Sequence, residues 1–164
     1  MNKPTSTAAT QKIVFTMGLP GAGKSTTANR EYPGAFWLDP DAIKESHKDY
    51  DPKNPAALHA WSQEVIADMW ADVVEGKNDS AIIIVDGTGT NAEKMTTRIA
   101  EAKEAGFTAE LFLCSVTLET AKARNASRAR VVPTHIIEEK AQTLNASFEI
   151  CSRVVDSVVV IKND

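Results

Sequence analysis

The chain has 164 residues, with 18 Lys plus Arg against 22 Asp plus Glu and a formal net charge of -4 at pH 7. Its length points to one domain, and a hydrophobic content of 43% excludes wholesale disorder. The mildly acidic balance argues against coating a nucleic acid or a membrane by bulk charge, but it leaves room for a local basic patch.

Residues 1–11, rich in Thr, Ser and Ala, have no apolar centre and read as a disordered tail, not a signal peptide. Residues 12–164 read as a single domain, and no apolar run reaches the length of a membrane span. Lys12 to Met17 (KIVFTM) predicts a buried strand, and a helix follows from Gly23 to Glu31. Ala35 to Leu38 predicts a second strand. The polar stretch Glu45 to Pro55 is a candidate mobile substrate loop. Asn54-Pro55 suits a helix start, after which Leu58, Trp61, Val65, Met69 and Val73 recur at helical spacing to Glu75, before Gly76. Ala81 to Val85 predicts a third strand. Thr90-Asn91-Ala92-Glu93 reads as a capping box for a helix with Met95, Ile99 and Ala102 on one face. A fourth strand over Ala109 to Val116 is followed by a helix from Leu118 to about Arg128 and a last helix from Pro133. A fifth strand spans Val154 to Ile161, interrupted by Asp156 and Ser157. Continuous apolar strands imply burial on both faces, and their alternation with helices predicts a doubly wound α/β fold. Cys114 and Cys151 read as reduced core thiols of a cytoplasmic protein, and the histidines lack metal-ligand spacing.

Gly18-Leu19-Pro20-Gly21-Ala22-Gly23-Lys24-Ser25 matches GxxxxGK[ST] at every fixed position, after a strand and before a helix. In such a loop, glycines let backbone N–H groups converge on phosphate oxygens, and the helix N-terminus adds its positive end. Lys24 is then expected on the β- and γ-phosphates, Ser25 on Mg²⁺, and Thr26 as a cap or an α-phosphate contact. The motif implies nucleoside triphosphate binding. No NKxD guanine motif or ABC signature accompanies it, and the chain is short for an AAA-type motor. A small phosphotransferase remains.

Such an enzyme needs a carboxylate near the acceptor hydroxyl. Leu38-Asp39-Pro40-Asp41 lies at the end of the second strand, where ligands bind in open α/β sheets. Asp39, just before Pro40, suits a helix N-cap and also stands as an acceptor-side ligand. Asp41 is the candidate base, with Lys44 three residues on as a phosphate ligand or an ordinary solvated lysine. Ile82 to Val85 ending in Asp86 is a Walker-B arrangement, which makes Asp86 a candidate Mg²⁺ ligand. The small residues Gly87-Thr88-Gly89-Thr90 permit close approach of a substrate, with Thr88 a candidate contact. Between Glu119 and Glu138 there is no acid, while Lys122, Arg124, Arg128 and Arg130 fall there. Arg124 and Arg128 share a helix face and are candidates to clamp the triphosphate.

Together, KIVFTMGLPGAGKSTTA, DPDAIK, IIIVDGTGTN and TLETAKARNASRARVVPTHII resemble the 5′-hydroxyl polynucleotide kinase domain of bacteriophages and its P-loop kinase relatives, over about residues 12 to 145. The resemblance implies an adenylate-kinase-like P-loop sandwich of three layers. Its five-stranded parallel sheet has order 2-3-1-4-5, with helices on both faces and a small helical lid. It implies ATP and Mg²⁺, with Asp41 as general base, Lys24 and Ser25 on phosphates and metal, and Arg128 as lid arginine with Arg124 beside it. Lys44 falls where the family has an arginine for the acceptor's phosphate. Asp86-Gly87-Thr88-Gly89 departs from the family's Asp-Thr-Asn, and is similar to a stretch of the zeta-toxin kinases, which phosphorylate a UDP-linked amino sugar. The acceptor implied first is a nucleic acid, DNA ahead of RNA, at a 5′-hydroxyl or a hydroxymethylated pyrimidine in phage DNA modification. UDP-N-acetylglucosamine is the alternative. The setting implied is the cytoplasm of a bacterial or phage-infected cell, with no membrane partner. A nucleotide-switched binding module without an acceptor is the non-enzymatic alternative.

Overall fold

The computed structural model describes residues 11–127 and 131–164. In chain order the elements are β1 (Lys12–Met17), α1 (Lys24–Glu31), β2 (Phe36–Leu38), α2 (Pro40–Glu45), a 3₁₀ turn (Pro55–Leu58), α3 (His59–Val74), β3 (Ile82–Val85), α4 (Ala92–Glu104), β4 (Thr108–Ser115), α5 (Leu118–Ala126), α6 (Thr134–Ser152) and β5 (Ser157–Lys162). Among the described residues the strands form one five-stranded sheet, β2-β3-β1-β4-β5, with every pairing parallel. This is the order the resemblance implies. β1 sits at the centre, so its C-terminal end and the loop that follows are flanked by the ends of β3 and β4.

β1, β3 and β4 are largely buried on both faces because side chains alternate across the pleat, whereas the edge strands β2 and β5, expected to be buried as well, expose Phe36, Val158 and Val160. Ile13, Phe15, Met17, Ile83, Ala109 and Leu111 pack on one face against Ile66, Trp70 and Val73 of α3, Ile99 and Ala102 of α4, and Ile137 and Leu144 of α6. Val14, Ile84, Phe112 and Cys114 pack on the other against Ala28 of α1 and Tyr32. Phe15 meets Trp70 edge to face at 6.1 Å. Cys114 and Cys151 are buried free thiols, and no helix of the described residues is long and apolar enough to cross a membrane.

Several boundaries move from their expected places. α3 begins at His59, after the 3₁₀ turn, and buries Ser62, Ile66, Trp70 and Val73. The expected stripe of Trp61, Val65 and Met69 lies on its half-buried flank. The polar Ser62 breaks the apolar pattern, yet it fits the core because its hydroxyl donates to the His59 carbonyl at 2.9 Å. The cap of α4 is Asn91, whose Oδ1 accepts the Lys94 N–H at 3.0 Å, where a Thr90 capping box was expected. α6 runs to Ser152, so β5 starts at Ser157, three residues beyond the expected Val154. Asp156 opens that strand: its N–H donates to the Ala109 carbonyl at 2.9 Å, and its Oδ2 accepts the Ala109 N–H at 2.8 Å. Gln11, placed at the end of the expected tail, ties its amide to the Asn78 and Ser80 carbonyls at 2.7 and 2.9 Å. Residues 1–10 lie outside the described residues.

Candidate active site

The loop from Gly18 to Gly23 leaves the buried end of β1 and enters α1 at Lys24. Gly23 is the N-terminal flank of that helix at φ 80°. An ideal Cβ there would lie 2.6 Å from Nδ2 of Asn163, which itself donates to the Ala22 carbonyl at 2.7 Å. Only glycine meets both the left-handed backbone and the close approach. Gly18, Gly21, Ala22, Gly23, Lys24, Ser25 and Thr26 together line an open groove of about 510 Å³.

Lys24 points from the head of α1 to the end of β3. Its Nζ lies 3.2 Å from Asp86 Oδ1 and donates to the Gly87 carbonyl at 2.8 Å. The two side chains are 15% and 9% exposed, so this is a largely desolvated pair, which needs further polar partners to be tolerated. Thr16 supplies one: its hydroxyl donates to Asp86 Oδ1 at 2.9 Å and accepts the Gly87 N–H at 3.1 Å. The Gly18 N–H donates to the Thr88 carbonyl at 3.1 Å and joins the phosphate loop to the β3 exit. Gly89 (φ 81°) lacks a Cβ because the Met17 side chain occupies that space, an ideal Cβ falling 2.5 Å from Met17 Cγ. The small residue there accommodates the protein's own core.

Asp39 caps α2, as its position before Pro40 suggests. The N–H groups of Asp41 and Ala42 donate to its Oδ1 at 3.0 and 3.3 Å. Burial, and next the charge of Asp86, push its carboxyl above the usual range. Asp39 and Ser25 line a common hollow on the outer side of α2. Among the described residues no group of three or more His, Cys, Asp or Glu is placed to hold a metal. A serine hydroxyl with one or two carboxylates is nonetheless the kind of donor set that Mg²⁺ uses when it keeps waters and shares substrate phosphates.

Asp41, exposed at the start of α2, lines two spaces: the phosphate-loop groove and a second cleft of about 460 Å³ beneath α3 and α4. Thr88, Lys24 and Lys140 line both as well. Asp39 lines neither. Lys44, only 9% exposed, has its side chain on the second cleft and makes no ion pair among the described residues. No residue from 45 to 55 lines that cleft. Within that stretch His47 lies edge-on to Trp61 at 4.6 Å.

Arg124 faces the loop itself. Its guanidinium donates to the carbonyls of Gly21 (3.4 Å), Ala22 (3.3 Å) and Asn163 (2.6 Å), and so braces the phosphate loop against the end of β5. Lys122 pairs with Glu138 of α6 at 2.9 Å, an acid partner from the next helix. Arg128 and Arg130 lie outside the described residues. Thr16, Lys94, Arg98, Lys140 and Asn163 are site residues that sequence reasoning passed over. Lys94 and Arg98, four apart without an intervening acid, carried a readable signal; the others carried none.

A glycine loop opening a helix, a lysine-acid pair across adjacent strand ends and the 2-3-1-4-5 sheet define a P-loop domain of the kinase type. The chain belongs to the AAA_33 family, described as an AAA domain, whose model matches residues 13–150. That family name stands beside the expectation that the chain is short for an AAA-type motor; the fold is the kinase-like one. Three solved structures are similar. The structure of the PezAT chromosomal toxin-antitoxin system of Streptococcus pneumoniae is 14% identical, with a TM-score of 0.69 over 99% of this chain and 71% of that one. An AvrRxo1-ORF1:-ORF2 structure with ATP is 18% identical, with a TM-score of 0.64 over 89% and 51%. The Pnkp1/Rnl/Hen1 RNA repair complex is 19% identical, with a TM-score of 0.62 over 90% and 48%. At these identities the likeness is one of fold. This chain spans about half the length of the AvrRxo1 and RNA repair proteins it matches.

Proposed function

We propose that the protein transfers the γ-phosphoryl group of ATP to a hydroxyl of a nucleic acid, at a 5′-hydroxyl end or on a hydroxymethylated pyrimidine in DNA. The observation that carries the reading is the position of Asp41, where the phosphate-loop groove and the second cleft meet. A nucleotide switch needs no carboxylate there; a kinase does. The resemblance to phage polynucleotide kinases supports the acceptor, as does a neighbour of RNA repair by name.

In this reading the loop N–H groups and Lys24 bind the triphosphate, and the acceptor hydroxyl enters from the second cleft. Its oxygen bonds to the γ-phosphorus as the bond to the β–γ bridging oxygen breaks, ADP departs, and the hydroxyl proton passes to Asp41. Ser25 and Asp86 would hold Mg²⁺, which would supply charge neutralisation at the phosphates. Lys24 exchanges its contact with Asp86 for phosphate oxygens. Arg128 serves as the lid clamp in this proposal, and Arg124 holds the loop in shape. A second reading has UDP-N-acetylglucosamine as acceptor, favoured by the likeness of Asp86-Gly87-Thr88-Gly89 to a stretch of the zeta-toxin kinases.

Transfer of label from ATP to 5′-hydroxyl DNA, 5′-hydroxyl RNA, hydroxymethylpyrimidine DNA and UDP-N-acetylglucosamine tests both. Asp41→Asn should keep ATP binding and lower transfer by about a hundredfold to ten-thousandfold. Full transfer by that variant refutes the base, and label on the sugar alone refutes the nucleic-acid acceptor.

A further inference from the structure

The wall of the acceptor cleft formed by α4 carries a charge arrangement that the transfer step does not use. Lys94 and Arg98 lie one turn apart on α4, and both line the cleft. Neither makes an ion pair within 4.0 Å among the described residues. Lys94 Nζ donates to a neutral group, Gln63 Oε1, at 2.9 Å. The Arg98 guanidinium lies 5.7 Å from the centre of the Trp70 ring. Glu101, one turn on from Arg98, accepts the Trp70 indole N–H at 3.1 Å.

The two cations repel each other, although the charge of Glu101 offsets Arg98 in part and Lys94 is exposed to solvent. Like charges four apart on a helix repel, and Lys94 lies in the first turn of α4, where the helix dipole disfavours a cation. Burial, with the neighbouring guanidinium second, pulls the Lys94 ammonium below its ordinary value; burial does the same to Arg98. Lys44, nine-tenths buried and without an ion pair among the described residues, lines the same cleft from α2. The acid on this cleft outside the Lys24–Asp86 pair is Asp41, which the reaction needs as a base.

We infer that Lys94 and Arg98 form a clamp for a phosphate group carried by the acceptor itself, so that the acceptor presents both a hydroxyl to Asp41 and a phosphate to α4. The inference rests on the kinase reading above and adds specificity residues to it. A phosphate between the two side chains would offset their repulsion. It would also match the planar fork of arginine, which donates two parallel hydrogen bonds to phosphate oxygens. The phosphate could belong to a nucleic-acid backbone or to the diphosphate of a nucleotide sugar, since both offer the same oxygens.

The test is equilibrium binding to protein saturated with Mg²⁺ and a non-hydrolysable ATP analogue, read by tryptophan fluorescence. Thymidine 3′-monophosphate is compared with thymidine, and UDP-N-acetylglucosamine with N-acetylglucosamine. At least one phosphate-bearing probe should bind about tenfold or more tightly than its phosphate-free counterpart. The pair that shows the preference identifies the source. Lys94→Gln and Arg98→Gln should each remove most of the preference without changing affinity for the analogue. Arg98→Lys should restore part of it, and a thermal melt of each variant checks folding, because Arg98 also packs on Trp70. Absence of preference in the wild type, or its persistence in both glutamine variants, overturns the clamp. Labelled-ATP transfer is measured in parallel. A preference lost in the variants without transfer to any acceptor overturns the kinase reading and leaves the clamp. Transfer that ignores the acceptor's phosphate overturns the clamp alone.

Discussion

Replacing Arg124 by Gln separates two roles that an arginine beside a phosphate loop can have. Its Nη2 contact to the Asn163 carbonyl at 2.6 Å is short and charge-assisted, whereas the contacts to Gly21 and Ala22 at 3.4 and 3.3 Å are near the limit of useful geometry. A hydrogen bond to a charged group contributes about 1.5–3 kcal/mol net, and the two long contacts add about 0.5 kcal/mol each at most. The brace thus accounts for about 2–4 kcal/mol. For a chain of this size, with about 2–4 °C per kcal/mol, that is a fall in Tm of about 4–16 °C. Thermal and urea unfolding of the nucleotide-free protein should show the loss, with ATP affinity falling as the loop loosens. Arg124→Lys should recover little, because an ammonium cannot reach three carbonyls as a planar fork does. If Arg124→Gln melts at the wild-type temperature while transfer falls a hundredfold, the brace is refuted and the guanidinium acts on the phosphates.

Gly23→Ala should destabilise by about 2–3 kcal/mol, from a left-handed backbone and the lost bond between Asn163 and Ala22, and should weaken ATP binding; a wild-type urea midpoint would contradict this. The stability of the sheet should also depend on acid pH through Glu110. Burial alone would raise its carboxyl, but donors from Tyr32, Ser157 and Lys12 outweigh burial and hold it below the usual range. A folded-state value below the unfolded one means that its contribution is full above the ordinary glutamate range and is lost as pH falls through the lower folded-state value. Urea midpoints from pH 7 to pH 3 should therefore fall in the wild type and fall less steeply in Glu110→Gln; parallel curves would exclude this carboxylate as a source of acid sensitivity.

The phosphate loop was legible because its glycines answer local demands, positive φ and close approach, that recur whatever surrounds them. The Asp39 cap was legible for the same reason: a carboxylate just before a proline at the start of a helix acts within its own turn. Pairings across elements were not. Lys122 has its observed partner, Glu138, on the next helix. Arg124 shows its charge in the sequence but not its shortest contact, which is with Asn163 at the far end of the chain. The buried face of α3 was misplaced by about one residue because Ser62, a polar residue satisfied by its own helix, sits where an apolar side chain was expected. Lys94 and Arg98 were overshadowed by Met95, Ile99 and Ala102, the apolar stripe that anchors the same helix.

The bond between Asn163 and Ala22 joins residues 141 positions apart. Contacts of such separation require the ends of a long chain to meet, and they form late because loop closure must precede any gain from them. β1 and its loop are made early in synthesis, and Arg124 contacts the Gly21 and Ala22 carbonyls directly, but the Asn163 contacts to Ala22 and Arg124 need β5 docked beside β4. The Asn163 support of the loop is thus the part completed last: a chain that has made the glycines and Lys24 lacks the residue that holds the Ala22 carbonyl until its last strand is in place.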